Sequence, residues 1–370
     1  SRTEETTMSS MTHQAPRRHI TIGVDTHKDV HVAVALDGLG ARIGELHLPT
    51  TPAGYAGLER WAAELGPIEA FGIEGTGCYG AGLARYLDGL GHRVVEVDRP
   101  DRATRHRLGK SDPIDAEMAA RSVLSGVAVG TPKATDGSVE MIRMLKVARD
   151  SAVKARTQSL NQIKALLVTA PAELRESIRG LSTPRLLDHC AAFRPGVPDS
   201  PTTAAKQALR SLARRNLALG AEVKEHDEGI RRLVSGAAPE LLAAFGVGPD
   251  SAATLLVTAG DNPGRLRSEA AFASLCGSSP IPASSGKTTR HRLNRGGDRQ
   301  ANAALHRIVV VRLRWHQPTQ AYMARRTAEG KTKAEIMRCL KRYVAREAFG
   351  LLPIDRTAST TLRPVLTGAT

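Results

Sequence analysis

From His19 onward the chain alternates between apolar and polar positions. The segments "HITIGVD", "DVHVAVAL" and "ARIGELHL", joined by the short connections "THK" and "DGLG", predict three consecutive β-strands. The period then changes. Residues from Pro52 to about Leu65 carry apolar side chains at helical spacing behind Thr51, a capping residue with proline at the first helical position. A strand at "IEAFGIE", a helix from about Gly80 to Leu90, a strand at "RVVEV", a basic loop and a helix starting near Pro113 follow. The predicted order is βββαβαβα.

Further on the pattern is helical. Ile142, Leu145, Val153, Leu160, Ile163 and Leu167 recur at three- and four-residue steps, which predicts one long helix over 138–168. A second long helix runs from about Thr203 to Val234, after the proline-rich break "FRPGVPDSPTT". Two long amphipathic helices without a large core of their own predict an antiparallel hairpin or a dimerising coiled coil, although Arg149 and Arg156 fall at seam-like positions. From Leu241 to Phe349 shorter helices are expected. "FGVGPDSAATLLVTAG" has the Gly-Val-Gly turn and apolar helix of a helix-hairpin-helix-like element, whose backbone amides can face a phosphate. Asp298 in "RGGD" is a candidate N-cap for the arginine-bearing apolar helix "RQANAALHRIVVVRLRW".

These elements predict an α/β plus all-α chain. A leader at 1–18 precedes a mixed-sheet domain of ribonuclease H-like architecture at 19–127, a helical coiled-coil middle at 128–238, a helical C-terminal domain at 239–350 and a tail at 351–370. The polar leader has no apolar core, and no apolar run reaches membrane-spanning length, so a cytoplasmic protein without a membrane partner is expected.

Charge adds a direction. The formal net charge is +15, but residues 1–126 are net −3 and the rest net +18; between Lys287 and Arg346 there are 16 Lys and Arg against 3 acids. Clustered cations displace counterions from phosphates, so the C-terminal half points to a polyanion, against the plainer reading of a solvated basic face. Aromatic residues are only 3% of the chain, which favours backbone contacts over base stacking. Four cysteines, far apart and without a CxxC, exclude a zinc finger or a disulfide framework.

The chemistry-bearing residues sit at element ends. Asp25 closes the first strand and Glu74 the fourth, and these strands are neighbours in a ribonuclease H-like sheet. In "KSDPIDAE", Asp112 and Asp115 are three apart at a helix start and share one face. Asp112 and Asp115 could serve as ordinary helix caps, and Asp25 could cap its turn. Together, converging carboxylates require a divalent cation between them, and two-metal phosphoryl transfer uses that arrangement. A second cluster lies in "PIPASSGKTTRHRLNRGGDRQ". Ser285 precedes Gly286 and is followed by Lys287, Arg290, Arg292, Arg295 and Arg299, with Lys110 a further candidate nucleic-acid contact. A serine hydroxyl is a poor nucleophile without a base, metal or cation field, so Ser285 is either an activated nucleophile or part of a phosphate-binding loop.

"GVDTHKD", "IEGTG", "GKSDPIDA" and "SGKTTRHRLNRGGD", in that order over roughly residues 20–350, resemble the DEDD/serine transposases of the insertion-sequence 110 family, which includes Piv-type DNA invertases. The resemblance implies a RuvC-like N-terminal domain, a coiled-coil middle and a C-terminal transposase domain. It implies Mg2+ (or Mn2+) held by Asp25, Glu74, Asp112 and Asp115. It also implies that Ser285 attacks the DNA backbone to form a phosphoserine intermediate in a composite site. Double-stranded donor and target DNA, a structured noncoding bridge RNA as guide and a homo-oligomer, dimer or tetramer, are the implied partners, in a bacterial cytoplasm at the nucleoid. Two features depart from the family pattern: the double serine offers Ser284 as a second nucleophile, and "NRGGD" stands where the family has "KRG" followed by Asn or Asp. A RuvC-like metal-dependent nuclease and a non-catalytic nucleic-acid-binding protein are the competing readings. An actin-like sugar kinase would need a second copy of the fold, which the sequence lacks.

Overall fold

The computed structural model describes residues 19–97, 111–260, 262 and 265–353. The expected leader, the basic loop with Lys110 and all but the first residues of the expected tail lie outside that range. The chain divides into two compact units, one through Ala134 and one from Thr135.

The first unit is a five-stranded mixed sheet. Strands β1 (Ile20–Thr26), β2 (Val30–Asp37) and β3 (Arg42–Pro49) form an antiparallel meander. β4 (Ile68–Glu74) and β5 (Val94–Val97) add in parallel, giving the order β3-β2-β1-β4-β5. The predicted order of elements is the observed one, and a mixed α/β sheet followed by a mostly helical remainder is compatible with a RuvC-like N-terminal domain.

Both faces of this sheet are covered. Helix α1 (Pro52–Leu65) starts where the sequence places it: Thr51 Oγ1 accepts the Gly54 amide at 3.2 Å, with Pro52 at the first helical position. With α2 (Ala81–Gly89) it covers Ile20, Ile22, Val24, Phe71 and Ile73. The opposite face takes α3 (Asp112–Leu124), whose buried side is alanine-rich: Ala116, Ala119 and Ala120. Its seat is made by two strand glycines. A Cβ on Gly23 would overlap the Ala116 carbonyl oxygen and the Ala120 amide, and one on Gly72 would lie 2.6 Å from Val123 Cγ2. Backbone therefore packs almost on backbone, which fixes the start of α3 over the C-terminal ends of β1 and β4.

In the second unit, α4 (Ser138–Thr169) and α7 (Pro201–Ala237) pack against each other. Leu145 meets Gly229, Arg149 pairs with Asp227 at 2.8 Å, and Ser159 Oγ accepts from Asn216 at 2.8 Å. One number rises as the other falls, so the pair is an antiparallel hairpin. The seam-like arginines are accommodated: Arg149 finds Asp227, Asp150 and Asp250, and Arg156 lies over Gly220 with its carbonyl accepting from Asn216. Between the long helices stand α5 (Ala172–Ser177) and α6 (Thr183–Ala191), which the sequence reading did not foresee. They form because Leu174, Leu186, Leu187 and Cys190 bury against Ile163 and Leu209 at the hairpin tip.

At its base the hairpin shares a core with the C-terminal helices: Ile142, Ile230 and Val234 pack with Leu255, Phe272, Leu305, Ile308 and Val344. Those helices are α8 (Pro239–Ala243), α9 (Pro249–Ala259), α10 (Glu269–Leu275), α11 (Arg299–Trp315), α12 (Gln317–Ala328) and α13 (Lys333–Leu351). A small hairpin of β6 (Ile281–Pro282) and β7 (His291–Arg292) stands between α10 and α11. Among the described residues no helix is long and apolar enough to cross a membrane.

Candidate active site

The carboxylates gather where α3 meets the strand ends. Asp25 lies on the same face of β1 as Gly23, the face that α3 covers, and is 7% exposed. The register Val24 to Ile73 makes Asp25 and Glu74 successive neighbours at the ends of two parallel strands, and Thr26 Oγ1 ties those ends by donating to the Glu74 carbonyl at 2.8 Å. From the first turn of α3 come Asp112, exposed, and Asp115, 5% exposed.

His27 completes the group. Its Nε2 lies 3.2 Å from Asp25 Oδ2 and 3.3 Å from Asp112 Oδ1, and donor atoms of the three residues fall within 4.8 Å of one another. Glu74 and Asp115 are both outside this tight trio. Burial pushes the Asp25 carboxyl above its ordinary value; His27 opposes the rise, while Asp115 and Asp112 add to it. Asp115 Oδ1 is buried with no hydrogen-bond partner among the described residues. A cleft of about 500 Å³, lined in part by His27, Val32, His47, Tyr79 and Asp112, opens beside the cluster.

This donor set fits a divalent cation. Carboxylate oxygens are hard ligands, an unpartnered buried oxygen costs free energy until something positive meets it, and the raised Asp25 carboxyl reflects first its burial away from water and then the neighbouring acids. Sequence reasoning missed His27, which it read as part of the "THK" turn. The available signal was its spacing of two from Asp25. It also missed His31, fully buried on β2, whose Nδ1 accepts the His27 amide at 3.3 Å and whose ring stacks on Tyr55 with 6.0 Å between centroids.

Ser285 belongs to the second unit. It opens the tip of the β6–β7 hairpin, where its backbone exchanges hydrogen bonds with Thr288 at 3.2 and 3.1 Å across a turn containing Gly286 at φ 55°. The two adjacent serines are used differently. Ser284 Oγ accepts the Arg290 amide at 3.1 Å and donates to the Arg290 carbonyl at 3.3 Å, clasping the hairpin. The Ser285 hydroxyl is exposed and has no partner among the described residues. In the residues that follow, Lys287, Arg290, Arg292, Arg295 and Arg299 are all exposed, in the turn, along and beside β7, in the segment after it and at the start of α11. Asp298 caps α11 as expected, accepting from Gln300 at 2.7 Å and Ala301 at 3.1 Å. Lys110 lies outside the described residues.

Comparison with known families gives two matches. Residues 22–170 match a family model described as Transposase, the DEDD transposase model of IS110, and residues 238–324 match the Transposase IS116/IS110/IS902 family. The first match contains Asp25, Glu74, Asp112 and Asp115; the second contains Ser284 and Ser285. No curated protein matches the chain.

Proposed function

We propose, for a chain that belongs to the IS110 family of transposases and is a DNA recombination enzyme with a divalent-metal-dependent type of domain, that it cuts and rejoins DNA through Ser285 and four acids holding Mg2+. The observation that carries this reading is the carboxylate cluster with an orphaned buried oxygen on Asp115 beside a buried Asp25 whose carboxyl burial raises. Asp25, Glu74, Asp112 and Asp115 would hold the ion, with His27 against Asp25 and Asp112. A bound divalent cation supplies Lewis-acid stabilisation of the charge that builds on the phosphate oxygens.

Ser285 supplies the nucleophile. Its Oγ loses its proton and bonds to phosphorus, the bond from phosphorus to the departing sugar oxygen breaks, and that oxygen takes up a proton. A sugar hydroxyl of the new partner strand then attacks the phosphoserine, which restores the serine and forms the new phosphodiester. One ester replaces another at each stage, so no external energy source is required. The clasp on Ser284 supports assigning attack to Ser285, whose hydroxyl is free.

The finer features follow the family resemblance. Donor and target duplexes and a structured guide RNA are the nucleic-acid partners, which the net +18 beyond residue 126 suits. The long helical hairpin serves assembly into a dimer or tetramer as a coiled coil, and the Gly-Val-Gly turn before α9 serves as a helix-hairpin-helix-like phosphate contact. Ser285 of one chain works with the acids of another. Lys287, Arg290, Arg292, Arg295, Arg299 and Lys110 hold the phosphate backbone.

The test is a denaturing-gel search for a covalent protein–DNA adduct, with Mg2+, the RNA flanking the element and DNA spanning its junction. The adduct is expected in wild type and lost in Ser285→Ala and in Asp25→Ala. Cleavage without an adduct in Ser285→Ala would make the enzyme a water-using nuclease and overturn the serine assignment. Restoration of activity on mixing Ser285→Ala with Asp25→Ala protein is expected; a dead mixture would count against sharing between chains.

A further inference from the structure

The C-terminal unit contains a cleft of about 1130 Å³. One wall is the segment carrying Arg292, Arg295 and Arg299; the other is α13 with the turn before it, carrying Lys331 and Arg338. All five cations are exposed, and none lies within ion-pair distance of a carboxylate among the described residues. Other charges lining the cleft are already engaged. Arg326 pairs with Glu329 and Arg342 with Glu269, while the one lining acid, Glu335, caps its own helix with Thr332 and keeps its charge, its carboxyl held below the ordinary value by Thr332 and then by Lys331 and Arg338, so it offsets part of the field of those two cations. Lys341 donates to Asn302 Oδ1 at 2.8 Å, and burial, then Arg338, hold its ammonium below its ordinary value. The cleft is therefore a concentrated positive field awaiting an anion.

Its aromatic lining residue is Tyr343. The residue is 51% exposed, and its ring is held at 88° to Tyr322 with 5.6 Å between centroids. Cations along a groove with an oriented aromatic face are the equipment of single-strand binding.

We propose that this cleft is a track for one nucleic-acid strand, its phosphates on the five cations and a base stacked on Tyr343. The β6–β7 hairpin gives the track a register. Ser285 lies three residues beyond the Pro282–His291 pair, about 10 Å along the hairpin. At ~3.4 Å per stacked nucleotide the held strand begins about one to three nucleotides from the phosphate that Ser285 attacks. That register rests on the proposed serine chemistry; the track does not.

The test is fluorescence anisotropy of the full chain with labelled 20-nucleotide single-stranded DNA, the same sequence as RNA, and the DNA duplex, each across a salt series. Arg295→Ala/Arg338→Ala should weaken single-strand binding about tenfold and reduce the salt slope by about 1.4, since each lost phosphate contact contributes ~0.7. Tyr343→Ala should weaken it at least fivefold without changing the slope, with Tyr343→Phe close to wild type. The stronger of the DNA and RNA arms identifies the strand. Unchanged single-strand affinity and slope in the double variant would overturn the track, and unchanged affinity in Tyr343→Ala would overturn the stacking. Because no cleavage is read, loss of strand binding in the double variant alongside a wild type that never forms a serine adduct would sink the serine chemistry alone.

Discussion

Neighbouring serines in one loop have opposite roles because one hydroxyl is bound and the other is not. Ser284 makes two hydrogen bonds to the Arg290 backbone, each of about 1 kcal/mol. We predict that Ser284→Ala keeps adduct formation within about tenfold of wild type, whereas Ser285→Ala loses it; single-turnover gels measure both. Asp115 gives a second prediction. Replacing it by Asn removes a negative charge that raises the Asp25 carboxyl, so the metal-free thermal midpoint should rise by about 2–4 °C. The same variant should lose the rise that Mg2+ or Mn2+ gives wild type, read by differential scanning fluorimetry; a wild type indifferent to both metals would count against the site. The five residues proposed for chemistry were nameable from sequence because each closes a strand, opens a helix or precedes a turn glycine. The duty of Ser284 was not, since its partner lies six residues away across a hairpin.

Elements show the same division between local and distant causes. The Thr51 cap, the strand alternation and the Asp298 cap are local chemistry, so the boundaries of α1 and α11 could be read directly. The seat of α3 depends on Gly23 and Gly72 facing a helix some ninety and fifty residues further on, and strand glycines alone do not announce such a contact. A methyl group on Gly23 has backbone atoms in its way that cannot rotate aside. Gly23→Ala is therefore expected to destabilise the first unit by about 3 kcal/mol, seen as a lower urea midpoint, and to weaken metal binding in the protein that still folds, because Asp112 and Asp115 shift with α3. Unchanged stability would mean that the helix can lift without cost. The helices α5 and α6 escaped notice for another reason: each is shorter than ten residues and forms by burying two or three apolar side chains against the long hairpin.

Over the larger of the two units, one ionic knot joins hairpin to C-terminal helices. Asp250 on α9 meets Lys146 at 2.6 Å, Arg149 at 3.3 Å and Arg307 at 2.9 Å, and the Lys146 side chain is only 9% exposed. Burial alone would raise the Asp250 carboxyl, but Lys146 and the two arginines hold it below its ordinary value. A depressed folded-state pKa contributes stability above the unfolded carboxylate value near 3.9, lost as pH falls through the folded one. Asp250→Asn weakens charge-assisted hydrogen bonds and should cost about 2–3 kcal/mol at pH 7; it should also leave a shallower acid limb, both measurable by urea unfolding at pH 7 and pH 4. The hairpin fixed by this knot is also a length. At 1.5 Å per residue, the 32 residues of α4 span about 48 Å, close to one and a half turns of duplex DNA at ~34 Å per turn. A duplex laid along the hairpin would meet the tip cluster around Ile163 and Leu209 a fixed fraction of a helical turn out of phase with the base. Inserting or deleting residues in both long helices would change that phase before it changed any contact at either end.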